Sequence, residues 1–426
     1  MWNLRLSKLA CSILLFYAAT KIASSEKVSL TTLYSFCSET NCADGSTPYA
    51  GLVQASDGSF LGTTYLGGAN NGGTVFKINA EGKLTTLYSF CSQPGCTDGN
   101  SPYASLLHTN GDFYGTTETG GAEGDGTVFE IGTAGALTVL HSFDGSDGFN
   151  PYAGLIQAAD RNFYGTTGGG ESGPNVSGTV FKITSKGKLI TLYSFCSQPN
   201  CTDGANPWGV LVQATDGNFY GTTGAGGTHV CKKRGEQKIG CGTVFKITPK
   251  GKLTTLYNFC SHGGSNCTDG SEPLAGLVGG SDGSFYGTTS GGGANADGTI
   301  FKITAKGKLT TLHSFDGADG AIPYAGLLPA SDGNLYGTTK FGGANNRGVV
   351  FKVTAVGKLT TLYSFCSQTN CADGYFPQAT PLQATNGRFY GTTSAGGNAE
   401  SGTVFRLSVG LGPEVEFKPL EPIRTF

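Results

Sequence analysis

Hydrophobic and polar residues follow one another along this chain in three short signatures, each occurring seven times. The first, LTTLYSF, begins at Leu30 and returns with small changes at Leu84, Leu137, Leu189, Leu253, Leu309 and Leu359. The second, GTVF, begins at Gly73 and returns at Gly126, Gly178, Gly242, Gly298, Gly348 and Gly402. Between them lies FYGTT or LGTT, whose glycines are Gly62, Gly115, Gly165, Gly221, Gly287, Gly337 and Gly391. Short runs rich in β-branched and aromatic residues predict strands. Their return every 50 to 66 residues predicts a fold assembled from copies of one unit.

One unit, Ala50 to Phe90, reads as four strands, labelled A to D from the axis outward. AGLVQAS turns at Asp57-Gly58 into SFLGTT, and GTVFKI turns at Glu81-Gly82 into KLTTLYSF, with the loop YLGGANNG between the two hairpins. Four antiparallel strands per unit, repeated around an axis, predict an all-β, seven-bladed β-propeller over 29–410. The blades are expected at about 48–90, 102–143, 151–195, 207–259, 273–315, 323–365 and 377–408. The last has only A, B and C strands, whereas the chain begins with a spare D strand at 30–36. Pairing the two closes the ring and removes an open sheet edge, so closure predicts a propeller rather than a capped solenoid.

Composition supports this reading. Seventy glycines and 14% charged residues disfavour helices, while 38% hydrophobic residues supply a core. A net charge of -2 gives no general attraction to nucleic acid or anionic lipid. Arg5 and Lys8, the apolar run Leu9 to Ala19 and the small residues Ala23, Ser24 and Ser25 predict a secretory signal over 1–25. No later stretch is long and apolar enough for a membrane span, and 411–426 reads as a short tail. The expected protein is secreted, with cell-surface association open, and monomeric.

Apart from Cys11, twelve cysteines fall into local pairs: Cys37 with Cys42, Cys91 with Cys96, Cys196 with Cys201, Cys231 with Cys241, Cys260 with Cys267, and Cys366 with Cys371. An even count of near neighbours in an exported chain predicts disulfides. Their spacings do not match the CxxC knuckles of structural zinc.

The combination of YGTT, a GG loop, GTVFKI and KLTTLYSF resembles the GloVer tandem repeat of bacterial surface proteins, the "choice-of-anchor" group. The resemblance runs from residue 30 to 410 and implies export and surface display. It brings no catalytic residues with it.

In this topology the D–A and B–C loops share one face, which carries every long loop, so the site is expected there. Just after a proline in each D–A loop come Tyr49, Tyr103, Tyr152, Trp208 and Tyr324, with Leu274 and Gln378 interrupting. They are either an aromatic rim that stacks on sugars or packing between blades. Asp44, Asp98, Asp147, Asp203, Asp269, Asp319 and Asp373 each precede a glycine, and Asp144 and Asp316 add second carboxylates in the two loops without cysteines. Asp144, Asp147, Asp316 and Asp319 could hold Ca²⁺, or the aspartates could cap their own turns.

The clearest break in the repeat is the blade-four insertion GGTHVCKKRGEQKIGC, with His229, Lys232, Lys233 and Arg234. Two functions are therefore expected in competition. One is a non-catalytic exported scaffold binding carbohydrate or another surface polymer, with no cofactor. The other is a secreted polysaccharide-degrading enzyme, a lyase or hydrolase, centred on that insertion. The scaffold is favoured because nothing in the repeats forms a paired-carboxylate or nucleophile motif.

Overall fold

The computed structural model describes residues 28–168, 177–234, 237–262 and 267–412. The leader read over 1–25 and the tail from 413 onward lie outside the described residues. Seven four-stranded antiparallel sheets form a ring. In blade one the strands are Val53–Gln54, Phe60–Thr64, Thr74–Ile78 and Leu84–Ser89, in that order across the sheet.

Burial grades outward from strand B. Phe60–Thr64 is buried at every position, and Thr74–Ile78 everywhere except Lys77. Both faces of these strands are covered by neighbouring blades, so they read as continuous runs rather than as an alternation. The glycine of YGTT is required by a close approach. Gly62 is the register partner of Phe76, and a Cβ there would lie 2.6 Å from Phe76 Cζ. Blades meet through aromatic pairs. Phe36 meets Phe76 edge to face at 5.1 Å, Phe90 meets Phe129 at 5.2 Å, and Phe60 meets Tyr390 at 4.1 Å. Such pairs add about 0.5–1.5 kcal/mol each beyond their buried area.

The ring closes as the spare strand predicts. Ser29–Ser35 pairs antiparallel with Thr403–Ser408, with Leu30 opposite Leu407 and Tyr34 opposite Val404. The Phe36 N–H then donates to Gly402 O at 3.0 Å. This junction carries the same one-residue bulge between strands C and D that the other blades have, for example between Val75 and Phe76. It is built like every other blade.

All six cysteine pairs are disulfides. Inside four of the short loops one residue takes a left-handed backbone: Asn41, Gly95, Asn200 and Asn370. Beneath each loop the aspartate is buried and accepts several donors. Asp44 Oδ2 accepts from the Tyr34 hydroxyl at 2.8 Å and from Ser38 N at 2.9 Å, and Oδ1 accepts from Glu39 N at 3.2 Å. Tyr88 and Asp98, Tyr193 and Asp203, Tyr257 and Asp269, and Tyr363 and Asp373 repeat the bond. In the two loops without cysteines histidine takes the tyrosine's place, with His141 Nε2 at 2.6 Å from Asp147 and His313 Nε2 at 2.7 Å from Asp319.

Candidate functional site

The axial mouth is built by one loop device used seven times. The residue before each D–A loop proline has positive φ although none is glycine: Thr47, Ser101, Asn150, Asn206, Glu272, Ile322 and Phe376. For β-branched Thr47 and Ile322 this is a costly conformation. Two backbone bonds hold it. The Thr47 N–H donates to Ser401 O of the preceding blade at 2.7 Å, and Thr47 O accepts from Tyr65 N at 3.1 Å. Ile322 is fixed likewise by Asp297 O at 2.8 Å and Lys340 N at 3.2 Å. The proline follows, and the next side chain is thereby delivered to the mouth.

Tyr49, Tyr103, Tyr152, Trp208 and Tyr324, with Leu274 and Gln378, line a bowl of about 300 Å³ on the axis. Four of the rings form a continuous arc. Tyr49 lies 5.0 Å from Tyr103, Tyr103 5.5 Å from Tyr152, and Tyr152 5.1 Å from Trp208. All are half-buried, with one side against neighbours and another toward the bowl. Deeper in, the first residues of the A strands crowd backbone to backbone. A Cβ on Gly276 would lie 2.4 Å from Val210 O, and one on Gly51 would lie 2.9 Å from Thr380 O.

A second ring of side chains, in the position directly after YGTT, rests against the first. Tyr65 packs on Tyr49 at 5.3 Å and on Tyr103 at 6.1 Å. Glu118 Oε1 accepts from the Tyr152 hydroxyl at 2.9 Å. Lys340 stands 4.8 Å from the Tyr324 ring centre and 5.5 Å from that of Phe341. Gln378 Nε2 donates to Ser394 Oγ at 2.9 Å. The site thus has an acidic side, Glu118, and a basic side, Lys340. Burial pushes the Tyr65 phenol up to about 12, and the bond and charge of Glu118 push the same way. Tyr103 and Tyr152 are raised further, again by burial first. Burial lowers the Lys340 ammonium, which has no ion pair among the described residues.

The seam between blades three and four departs from the pattern. At the other six seams the first threonine of GTT donates to a backbone carbonyl of the next blade's A strand, as in Thr222 to Ala275 O at 2.8 Å and Thr392 to Ala50 O at 2.7 Å. Here Thr166 Oγ1 is buried with no hydrogen-bond partner among the described residues, and so is Trp208 Nε1. A buried donor left without a partner costs roughly 1–3 kcal/mol.

The remaining candidates lie elsewhere. Val230–Arg234 and Gln237–Gly240 form a separate two-stranded hairpin, which carries Lys232, Lys233 and Arg234 on its first strand, while His229 sits half-buried at its base. His229 does not line the bowl. Asp144 Oδ1 accepts from Ser146 N, Ser146 Oγ and Asp147 N, and Asp147 Oδ1 accepts from Asp144 N. Asp316 and Asp319 bond each other's backbone N–H at 3.0 Å. His108 stacks on Phe113 at 4.6 Å, and His262 Nδ1 lies 3.9 Å from Asp269. Sequence reasoning passed over Tyr65, Glu118 and Lys340. Their signal was available: the position after YGTT is occupied by Tyr, Glu, Gly, Gly, Ser, Lys and Ser in turn, while the motif before it hardly varies.

A family model described as the Gloeobacter/Verrucomicrobia repeat matches residues 91–267 and 230–416. No curated protein matches the chain. Among solved structures, virginiamycin B lyase from Staphylococcus aureus is similar over 90% of this chain and 99% of its own, at 13% identity and a TM-score of 0.55. Puromycin hydrolase is similar over 88% of this chain and 55% of its own, at 12% identity and a TM-score of 0.51. Likeness at these identities establishes the shared propeller fold.

Proposed function

The chain belongs to the Gloeobacter/Verrucomicrobia repeat family, and from that premise we propose that it is an exported binding propeller whose axial bowl takes carbohydrate or another hydroxyl-rich surface polymer. The observation that carries this reading is the arc of rings from Tyr49 to Trp208 around the bowl. Ring faces stack on the apolar faces of sugars. Lys340, opposite Glu118 in character and half-buried on a tyrosine face, favours ligands that carry a carboxylate or sulfate. Six disulfides and the family's bacterial repeat support export.

The test is a panel of neutral and acidic glycans incubated with the protein, reading both binding and products. Trp208→Ala and Tyr103→Ala should each weaken binding by about tenfold or more, equivalent to about 1.4 kcal/mol. Trp208→Phe, which keeps an aromatic face at the bowl, should bind more tightly than Trp208→Ala. His229→Ala with Lys232→Ala should leave binding unchanged. New reducing ends or unsaturated products, lost in that double variant, would overturn the scaffold reading in favour of polysaccharide cleavage.

A further inference from the structure

Two of the six disulfides are unlike the rest. Cys37–Cys42, Cys91–Cys96, Cys196–Cys201 and Cys366–Cys371 are half-exposed. Cys231–Cys241, which staples the blade-four insertion, and Cys260–Cys267, in the D–A loop that follows, come together instead. The four sulfurs all lie within 4.8 Å of one another, and Cys231 Sγ is 3.5 Å from Cys267 Sγ. Cys241, Cys260 and Cys267 are 1%, 6% and 6% exposed, inside a core cluster with Val244, Phe259 and Phe301. This is a built, water-poor site, and it falls where the repeat is broken twice: the insertion supplies one pair, and a longer D–A loop supplies the other with a separation of seven residues rather than five.

A tetrahedral zinc tetrathiolate has Zn–S bonds of about 2.3 Å, which places its sulfurs about 3.8 Å apart. The Cys231–Cys267 separation is already close to this value. Once the two S–S bonds open, rotation of side chains supplies the remaining adjustment, because the Cα atoms within each pair already lie 5.0 and 4.4 Å apart. The absence of a CxxC knuckle is then no obstacle, since each pair is presented by its own loop. Charge agrees as well. Four bound thiolates and Zn²⁺ carry a net -2, and the insertion between the first two ligands holds Lys232, Lys233, Arg234 and Lys238 against Glu236.

We propose that Cys231, Cys241, Cys260 and Cys267 form a redox-gated site for one Zn²⁺, or another thiophilic divalent cation, in the reduced protein. A dithiol reductant gives each disulfide two electrons and two protons, yielding four thiols. Zn²⁺ binding displaces those four protons to the solvent. A disulfide oxidant takes up the four electrons by thiol–disulfide exchange, which re-forms the two protein disulfides, releases the oxidant as thiols and expels the metal. In the oxidised state each disulfide closes its own loop and the two pairs only touch, with Cys231 Sγ 3.5 Å from Cys267 Sγ, whereas the ion would link the insertion to the D–A loop directly.

The experiment uses the full chain, reduced with a phosphine under argon and titrated with Co²⁺. One equivalent should produce intense tetrahedral visible bands with sulfur-to-cobalt charge transfer, and one equivalent of Zn²⁺ should bleach them. Cys231→Ser and Cys267→Ser should each abolish the four-sulfur spectrum and weaken metal binding by tenfold or more, while Cys91→Ser with Cys96→Ser should leave both intact. Wild-type protein alone gives a second readout. Zn²⁺ should shield four cysteines from alkylation, and peptide mapping should place them at 231, 241, 260 and 267. A cobalt spectrum without charge transfer, equal losses in the Cys91/Cys96 variant, or protection spread over other cysteines would overturn the proposal.

Discussion

Replacing Phe36 by alanine tests whether the ring is truly closed. Phe36 is fully buried, 5.1 Å from Phe76 and 5.4 Å from Tyr34, in a core shared with Leu52, Phe60 and Val404. Truncating such a phenylalanine costs about 3–5 kcal/mol, from lost transfer energy and the cavity left behind. Phe90 is the natural reference. It holds the same place one blade on, with Phe129 at 5.2 Å, Tyr88 at 5.3 Å and a backbone bond from its own N–H to Gly73 O at 2.9 Å. If the first strand is a full member of its sheet, Phe36→Ala and Phe90→Ala should lower the urea midpoint by the same amount, with unchanged slope. Protease sensitivity of the two variants should rise in step. A cost below about 1 kcal/mol for Phe36→Ala, beside the full cost for Phe90→Ala, would show that the first strand is only a loose flap and would refute the closed ring.

Three further outcomes follow from the geometry. Gly165→Val should destabilise by at least about 1–3 kcal/mol in thermal melts, because a Cβ there would sit 2.6 Å from Phe181 Cζ inside a packed seam. Burial works to raise the Asp98 carboxyl, but the bonds from Ser92, Tyr88 and Gln93 outweigh it and hold it below its ordinary 3.8. Its contribution is therefore complete above that value and lost as pH falls through the folded one, so Asp98→Asn should lower the urea midpoint at neutral pH and show a smaller deficit near pH 3 (an equal deficit at both would count against the carboxylate's charge). Trp208 and Trp2 are the only tryptophans, so in a Trp2→Phe background the emission reports the bowl directly; a bound glycan should change it, and Lys340→Met should remove the response to acidic glycans before that to neutral ones.

Much of this architecture is legible in the residues, and the gaps have a common cause. Strand order, blade number and the pairing of 30–36 with the last sheet follow from counting identical segments, because each strand announces itself by composition. The location of Tyr49 and its equivalents at the mouth follows from the proline before them. What escapes is contact between loops. Tyr65, Glu118 and Lys340 reach the site because their N–H groups bond the carbonyls of Thr47, Ser101 and Ile322, a pairing across 17 or 18 residues without hydrophobic periodicity. The bond from Tyr88 to Asp98 is hidden in the same way, since the tyrosine reads as a strand residue and the aspartate as a turn former. The meeting of Cys231 with Cys267 is further still from sequence logic. It depends on an insertion folding back over the following loop, and local spacing assigns each cysteine to its neighbour before any such encounter is considered.

The pairing of Ser29 with Ser408 has a consequence for how the molecule can be handled. Both ends of the ring leave from the same sheet, beside the short A–B turn at Gly387, which lies against Gly412 and on the side away from the bowl. Cargo fused to either end, or a support gripping one, would hang below the disc and leave its upper opening unobstructed. Held at the end of the last strand, at Ser408, every copy on a sensor chip would turn its bowl outward.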